Sequence, residues 1–221
     1  MIKNYLHCLS DAITPETTVI AFDLHNVVFK MQTQKVVVSC IKLMPKGTWR
    51  YAFNPVLWYR ACRFKVNSNV AEDIFHKLAI HYPGLARFRG DFIQITNNQR
   101  PIVPVVELIM QLKQRGYKLY VLSNIGKDTF FELSMKYPEI SACFDGAFTA
   151  TAENNYNHKP HKKFYEQFKD FLAANGQSHK QILFVDDLKK NIVAATHCNI
   201  GGIHYTSSKQ LVSQFKNLHI V

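Results

Sequence analysis

Hydrophobic and polar positions along this chain show two textures. The apolar run Val19-Ile20-Ala21-Phe22 contains β-branched members and stops at an acid, Asp23, which predicts a buried strand of a parallel sheet. Tyr117 to Leu122 and Ile182 to Val185 are similar runs, Cys143 to Phe148 is a short strand or its approach, and Gly202 to Tyr205 is a last strand. Helical stripes lie between them. Pro104 can sit at a first helical position, Val105, Leu108, Ile109 and Leu112 share one face, and Gly116 is the stop. Lys127 to Lys136, Lys162 to Ala174 (ended by Asn175-Gly176), Lys189 to His197, and Ser207 to Phe215 with Ser207 or Ser208 as cap complete the set. Strands alternating with helices predict an α/β fold, a Rossmann-like parallel sheet with helices on both faces.

The second texture is the interval from Phe29 to Arg100, far longer than the ~2–6 residues of an ordinary βα loop. It predicts an inserted α-helical subdomain over residues 29–100, with residues 1–28 and 101–221 forming the core. Val36 to Met44, Pro55 to Phe64 and Asn69 to His81 read as its helices. Asn69 can cap the last, whose stripe of Ala71, Ile74, Phe75, Leu78 and Ala79 is expected to pack against neighbouring helices.

Composition adds bounds. With 221 residues and 47% hydrophobic content, the chain can build a sizeable core. Its five cysteines are scattered and odd in number, which argues for a reducing compartment rather than a disulfide framework. The first residues hold no apolar h-region, and no apolar run approaches the ~18 residues needed to span a bilayer, so a cytoplasmic protein is expected. Net charge is +11, of which Lys30 to Arg100 contributes twelve Lys and Arg against three acids. A local excess of this kind concentrates anionic ligands, whether a phosphorylated metabolite, nucleic acid or anionic lipid, or serves solubility. Within it, Trp49, Tyr51, Phe53, Trp58, Tyr59 and Phe64 are interleaved with Arg50, Arg60 and Arg63. That mixture suits lipid or base stacking, or the core of the insertion with its cations reaching water.

Chemistry concentrates at the ends of the strands. Asp23 closes the first, Ser123-Asn124 follows Leu122, Asp186-Asp187 follows Val185, and the loop Tyr156-Asn157-His158-Lys159-Pro160 lies between. In an open α/β sheet ligands sit beyond the carboxyl ends of strands, so these groups should converge. Singly, each is also a turn, an N-cap or a solvated charge.

Together and in this order they resemble the haloacid dehalogenase superfamily, from Val19 to about Gly202. The insertion between the first and second motifs resembles the superfamily's helical cap of the first class. Asp186-Asp187 with Asn191 and Ala194-Ala195 looks most like the phosphatase domain of epoxide hydrolases and small sugar-phosphate phosphatases. The resemblance implies a Mg²⁺-dependent phosphohydrolase acting on a small phosphorylated metabolite. Asp23 would attack phosphorus to form an aspartyl-phosphate, and Ser123, the Asn124 amide region and Lys159 would hold the phosphoryl oxygens. Asp23, the His25 backbone carbonyl and Asp186 or Asp187 would bind Mg²⁺, with Asn191 orienting those carboxylates. Halide displacement needs no metal, and the retained acidic pair speaks against it.

One position departs from the pattern. Two residues after the nucleophile the superfamily's phosphatases carry a second Asp as acid and base; this chain has His25. Imidazole can move both protons, having an unperturbed pKa of ~6.5. The alternative is a catalytically weakened protein with a binding or regulatory role.

Overall fold

The computed structural model describes residues 5–43, 51, 53–67 and 70–221. Strand β1 (Thr18–Phe22) is buried along its whole length at the centre of a five-stranded sheet of order β5-β4-β1-β6-β7, paired in parallel throughout. The others are β4 (Lys118–Ser123), β5 (Gly146–Thr149), β6 (Gln181–Asp186) and β7 (Gly201–His204). The two-residue period of β1 divides its side chains between two cores. Ile20 and Phe22 join one with Val105, Leu108, Leu211 and Phe215; Val19 and Ala21 join the other with Phe164, Phe168, Ile192 and Ala195. Helices Val103–Gln114 and Ser208–Asn217 therefore cover one face, and Lys162–Ala174 and Lys189–Thr196 the other. The expected doubly covered sheet is present.

Local stops follow the sequence. Gly116 and Gly176 take positive φ, +87° and +73°, after helices ending at Gln114 and Ala174, a conformation glycine enters at little cost. Ser207 Oγ accepts from the Gln210 N–H at 3.2 Å, capping the last helix. The short helix Pro138–Ser141 was not among the expected elements.

Beyond β1 the chain turns tightly, with Val28 N–H donating to the Leu24 carbonyl at 3.0 Å and Asn26 at φ +58°. It leaves and returns through a two-stranded antiparallel ribbon, β2 (Phe29–Met31) against β3 (Gln99–Pro101). Between these strands lie helices Thr33–Leu43, Pro55–Asn67 and Ala71–His81, a 3₁₀ turn Pro83–Phe88, and helix Arg89–Thr96. Three helices match expectation with shifted ends; the ribbon and the helix Arg89–Thr96 do not appear in the sequence reading. The proposed cap residue Asn69 and the end residue Met44 lie outside the described residues, as does Trp49. The stripe on Ala71–His81 is corrected in one respect: Glu72 and Asp73 are buried with Leu78, while Ala71 is exposed. Among the described residues no helix is long and apolar enough to cross a membrane.

Candidate active site

Pairing register brings the functional ends together. Phe22 sits opposite Val121 of β4 and Val185 of β6, and the Asp23 N–H donates to the Val185 carbonyl at 2.9 Å. Asp23, Ser123 and Asp186 therefore emerge side by side from three adjacent strands. Asp23 Oδ1 accepts from the Leu24 N–H at 2.8 Å and from Ser123 Oγ at 2.7 Å, and Lys159 Nζ lies 3.0 Å from it. All three donors fall on that one oxygen. Oδ2 has no hydrogen bond among the described residues, so a fixed carboxylate keeps one oxygen for other work.

Lys159 is 1% exposed and donates to Asp186 Oδ2 at 2.7 Å and to the Leu122 carbonyl at 2.9 Å. Burial alone would push its pKa down; Asp186 and Asp23 outweigh burial and hold it above the ordinary lysine value, so the ammonium stays charged. Asn124 positions this lysine rather than offering its side chain to a ligand. Its Nδ2 donates to the Lys159 carbonyl at 3.0 Å, and its Oδ1 accepts from the Lys159 N–H at 2.8 Å. What Asn124 can offer an oxyanion is its backbone N–H.

The acidic pair divides into unlike halves. Asp186 is fully buried: it accepts from Lys159, from the Leu188 N–H at 2.7 Å, and from Asn191 Nδ2 at 3.0 Å on each oxygen. Asp187 is half-buried, accepts on Oδ2 from Asn26 Nδ2 at 3.2 Å, and faces the cavity. Burial raises the pKa of both carboxyls, and their neighbouring acids add to that rise. Carboxylate oxygens of Asp23, Asp186 and Asp187 lie within 4.8 Å of one another. Three hard oxygen donors drawn this close, with raised pKa values that a cation would relieve, fit Mg²⁺. The His25 carbonyl accepts no hydrogen bond among the described residues, and it is available as a further donor.

His25 borders the cavity, and its Nδ1 is buried without a hydrogen-bond partner among the described residues. Burial lowers its pKa; Asp23 raises it and Lys159 lowers it again. The imidazole is accordingly neutral near pH 7. The cavity holds about 330 Å³ and is lined above Asp23 and Asp187 by Ala71, Glu72, Ile125 and Leu188. Of these, Ile125, Leu188 and the one charged group, Glu72, escaped the sequence reading. Its carboxylate accepts from the Thr129 N–H at 2.7 Å and Oγ1 at 2.5 Å, and a Cβ on Gly126 would stand 2.2 Å from its Cδ. The inserted helix thus caps helix Lys127–Lys136 of the sheet domain. Arg89 and Asp128 pair beside it.

Three kinds of relative match this chain. The family model described as haloacid dehalogenase-like hydrolase matches residues 22–204. A curated protein, the sesquiterpene phosphatase astK of Aspergillus oryzae, is 29% identical over 199 residues, 89% of this chain and 94% of its own. A solved HAD-like hydrolase from Porphyromonas gingivalis superposes with a TM-score of 0.59 at 17% identity, over 92% of this chain and 98% of that one. L-2-haloacid dehalogenase from Xanthobacter autotrophicus gives 0.57 at 17%, over 93% and 84%. The HAD-hydrolase YfnB of Bacillus subtilis, solved bound to magnesium, gives 0.57 at 14%, over 92% and 98%. These structures share the fold.

Proposed function

The chain belongs to the haloacid dehalogenase-like hydrolase family, and from that premise we propose that it is a Mg²⁺-dependent phosphatase working through an aspartyl-phosphate on Asp23. The observation that carries this reading is the acidic triad within 4.8 Å, with charged Lys159 locked between Asp23 and Asp186. Displacing a halide needs one aspartate; gathering three carboxylates around a single site costs mutual repulsion that Lys159 offsets in part and that a bound divalent cation would offset further. Similarity to a sesquiterpene phosphatase supports the same choice.

In this mechanism one carboxylate oxygen of Asp23 attacks phosphorus as the bond to the leaving oxygen breaks, while Leu24 N–H and Lys159 hold the carboxylate and the Ser123 hydroxyl turns from it to the phosphoryl group. Ser123, the Asn124 N–H and Lys159 stand where they can share charge developing on the phosphoryl oxygens. Asp23, the His25 carbonyl and Asp187 would hold Mg²⁺, with Asp186 kept behind them by Lys159 and Asn191; when bound, the ion shields the dianion from the attacking carboxylate. Water then attacks phosphorus of the aspartyl-phosphate and restores Asp23. Neutral His25 is suited to taking that water's proton. Protonating an alkoxide in the first half asks more of it, since burial disfavours the imidazolium.

The leaving group we assign is a small, largely apolar alcohol. Ala71, Ile125 and Leu188 supply apolar lining beside Glu72, whose carboxylate is engaged by Thr129, and the cation that lines the cavity among the described residues is Lys190. The test is turnover of prenyl and sugar monophosphates beside p-nitrophenyl phosphate, with Mg²⁺ and with EDTA. Metal-dependent hydrolysis that favours prenyl over sugar esters supports both reaction and leaving group. A second reading, a weakened binding protein, rests on the unpartnered His25 Nδ1; tight phosphate binding without turnover of any ester would favour it.

A further inference from the structure

Helix Pro55–Asn67 turns Leu57 inward, at 6% exposed, and carries Val56, Trp58, Tyr59, Cys62 and Arg63 on its solvent side. Phe53, in the turn before it, is 74% exposed, Tyr59 66% and Trp58 55%. Side chains of this size ordinarily supply much of a fold's burial. Three exposed aromatics and a valine within seven positions are a patch, not the scattered singles a surface tolerates. Phe53, Trp58 and Tyr59 are therefore not in the packed centre of the insertion, whereas Tyr51 meets the Phe88 ring edge-on at 6.3 Å. Arg60 is engaged inward, its guanidinium 6.0 Å from the Tyr82 ring, while Arg63 stands with the aromatics.

Charge selects the partner. From Leu24 to Ala71 the sequence has eight Lys and Arg and no Asp or Glu. We propose that this helix docks the protein on an anionic lipid surface, with Phe53, Val56, Trp58 and Tyr59 entering the boundary between headgroups and acyl chains and Arg63 meeting headgroup phosphates. A helix with an apolar and aromatic outer side, flanked by cations, lies in such an interface. A nucleic-acid groove would instead space cations along a backbone between stacking rings, and the outer side of this helix offers a single described cation beside an aliphatic residue. Anionic headgroups attract juxtaposed basic segments in a salt-dependent way. The inference stands apart from the phosphatase reading and requires no turnover.

The experiment is co-sedimentation of the full chain with phosphatidylcholine vesicles, with and without phosphatidylserine. Trp58 emission is followed in a Trp49→Phe background. Binding to the phosphatidylserine vesicles, weakened by salt and accompanied by a blue shift of Trp58, is expected. Trp58→Ala with Tyr59→Ala should abolish the binding, and Arg63→Glu should weaken it about thirtyfold, two charge steps at the headgroup surface. Both variants should keep the parent's p-nitrophenyl phosphate turnover and melting temperature. Equal sedimentation with neutral vesicles, no sedimentation at all, or full binding by both variants would overturn the proposal. So would single-stranded RNA binding lost in the same variants, or a concentration-dependent dimer that they abolish.

Discussion

The carboxyl edge of the sheet and the inserted helices solve different problems. At the edge, Asp23, Ser123, Lys159 and Asp186 are at most 6% exposed, and each polar group is held by partners from another strand or loop. In residues 33–96 the buried apolar side chains are Leu57, Val70, Leu78 and Phe88, among those described, while large aromatics face water. The insertion meets the sheet domain through Val70, buried in the core beside Val19 and Ala21, and through two polar clasps, Glu72 on Thr129 and Arg89 on Asp128. Preorganised chemistry needs a site that does not move. A cover that admits substrate needs the reverse, a thin core and bonds that water can replace.

The sharpest way to break this division is at Asp23. Asp23→Asn should lower turnover on the order of 10⁴-fold or more, since an amide cannot serve as the attacking nucleophile; steady-state kinetics with p-nitrophenyl phosphate would show it. Next is Lys159→Met, which leaves Asp186 and Asp23 facing a side chain of similar size without its charge. A loss of about 3–5 kcal/mol by urea unfolding is expected, the scale of one broken buried ion pair. Unchanged stability would mean that the edge is not the rigid part.

His25 comes third. His25→Ala should slow alkyl phosphates about 10²-fold or more, and aryl phosphates less, because a phenolate leaves without a proton. The sign of the pH effect follows from the lowered pKa: with neutral imidazole as base, aryl activity should fall as pH drops through a value below the ordinary ~6.5 and level off above it. If His25→Ala costs nothing while His25→Asp raises turnover ~10²-fold, the histidine is a weakened substitution rather than a working base. The smallest effect belongs to the clasp. Glu72→Gln removes a charged acceptor from Thr129 and should cost about 1–3 kcal/mol. It should raise KM more than it changes kcat, and Gly126→Ala, whose Cβ meets that carboxylate, should act in the same direction.

The same contrast decides what was readable beforehand. Buried parallel strands are near-continuous apolar runs, so β1, β4 and β6 were visible as Val19 to Phe22, Tyr117 to Leu122 and Ile182 to Val185, and their ends located the polar groups that the fold brings together. The ribbon of Phe29–Met31 and Gln99–Pro101 was not: three residues each, with Lys30, Gln99 and Pro101 among them, give no alternation to read. Helix Arg89–Thr96 has no buried residue and so no stripe. Glu72 in a first helical turn looks like an ordinary partner for the helix dipole; only its tertiary contact with Gly126 and Thr129 marks it. The unequal burial of Asp186 and Asp187 depends on Lys159 and Asn191 arriving from elsewhere in the chain, which no local pattern encodes.

The phosphatase reading stands or falls with Asp23 as the acceptor of the phosphoryl group. The most direct test is mass-spectrometric mapping of the chain after rapid acid quench of turnover with Mg²⁺ and a phosphomonoester. A phosphoryl mass on the peptide containing Asp23, absent with EDTA and in Asp23→Asn, is the expected result. Metal-dependent turnover that leaves Asp23 unmodified while another residue carries the phosphoryl group would contradict it.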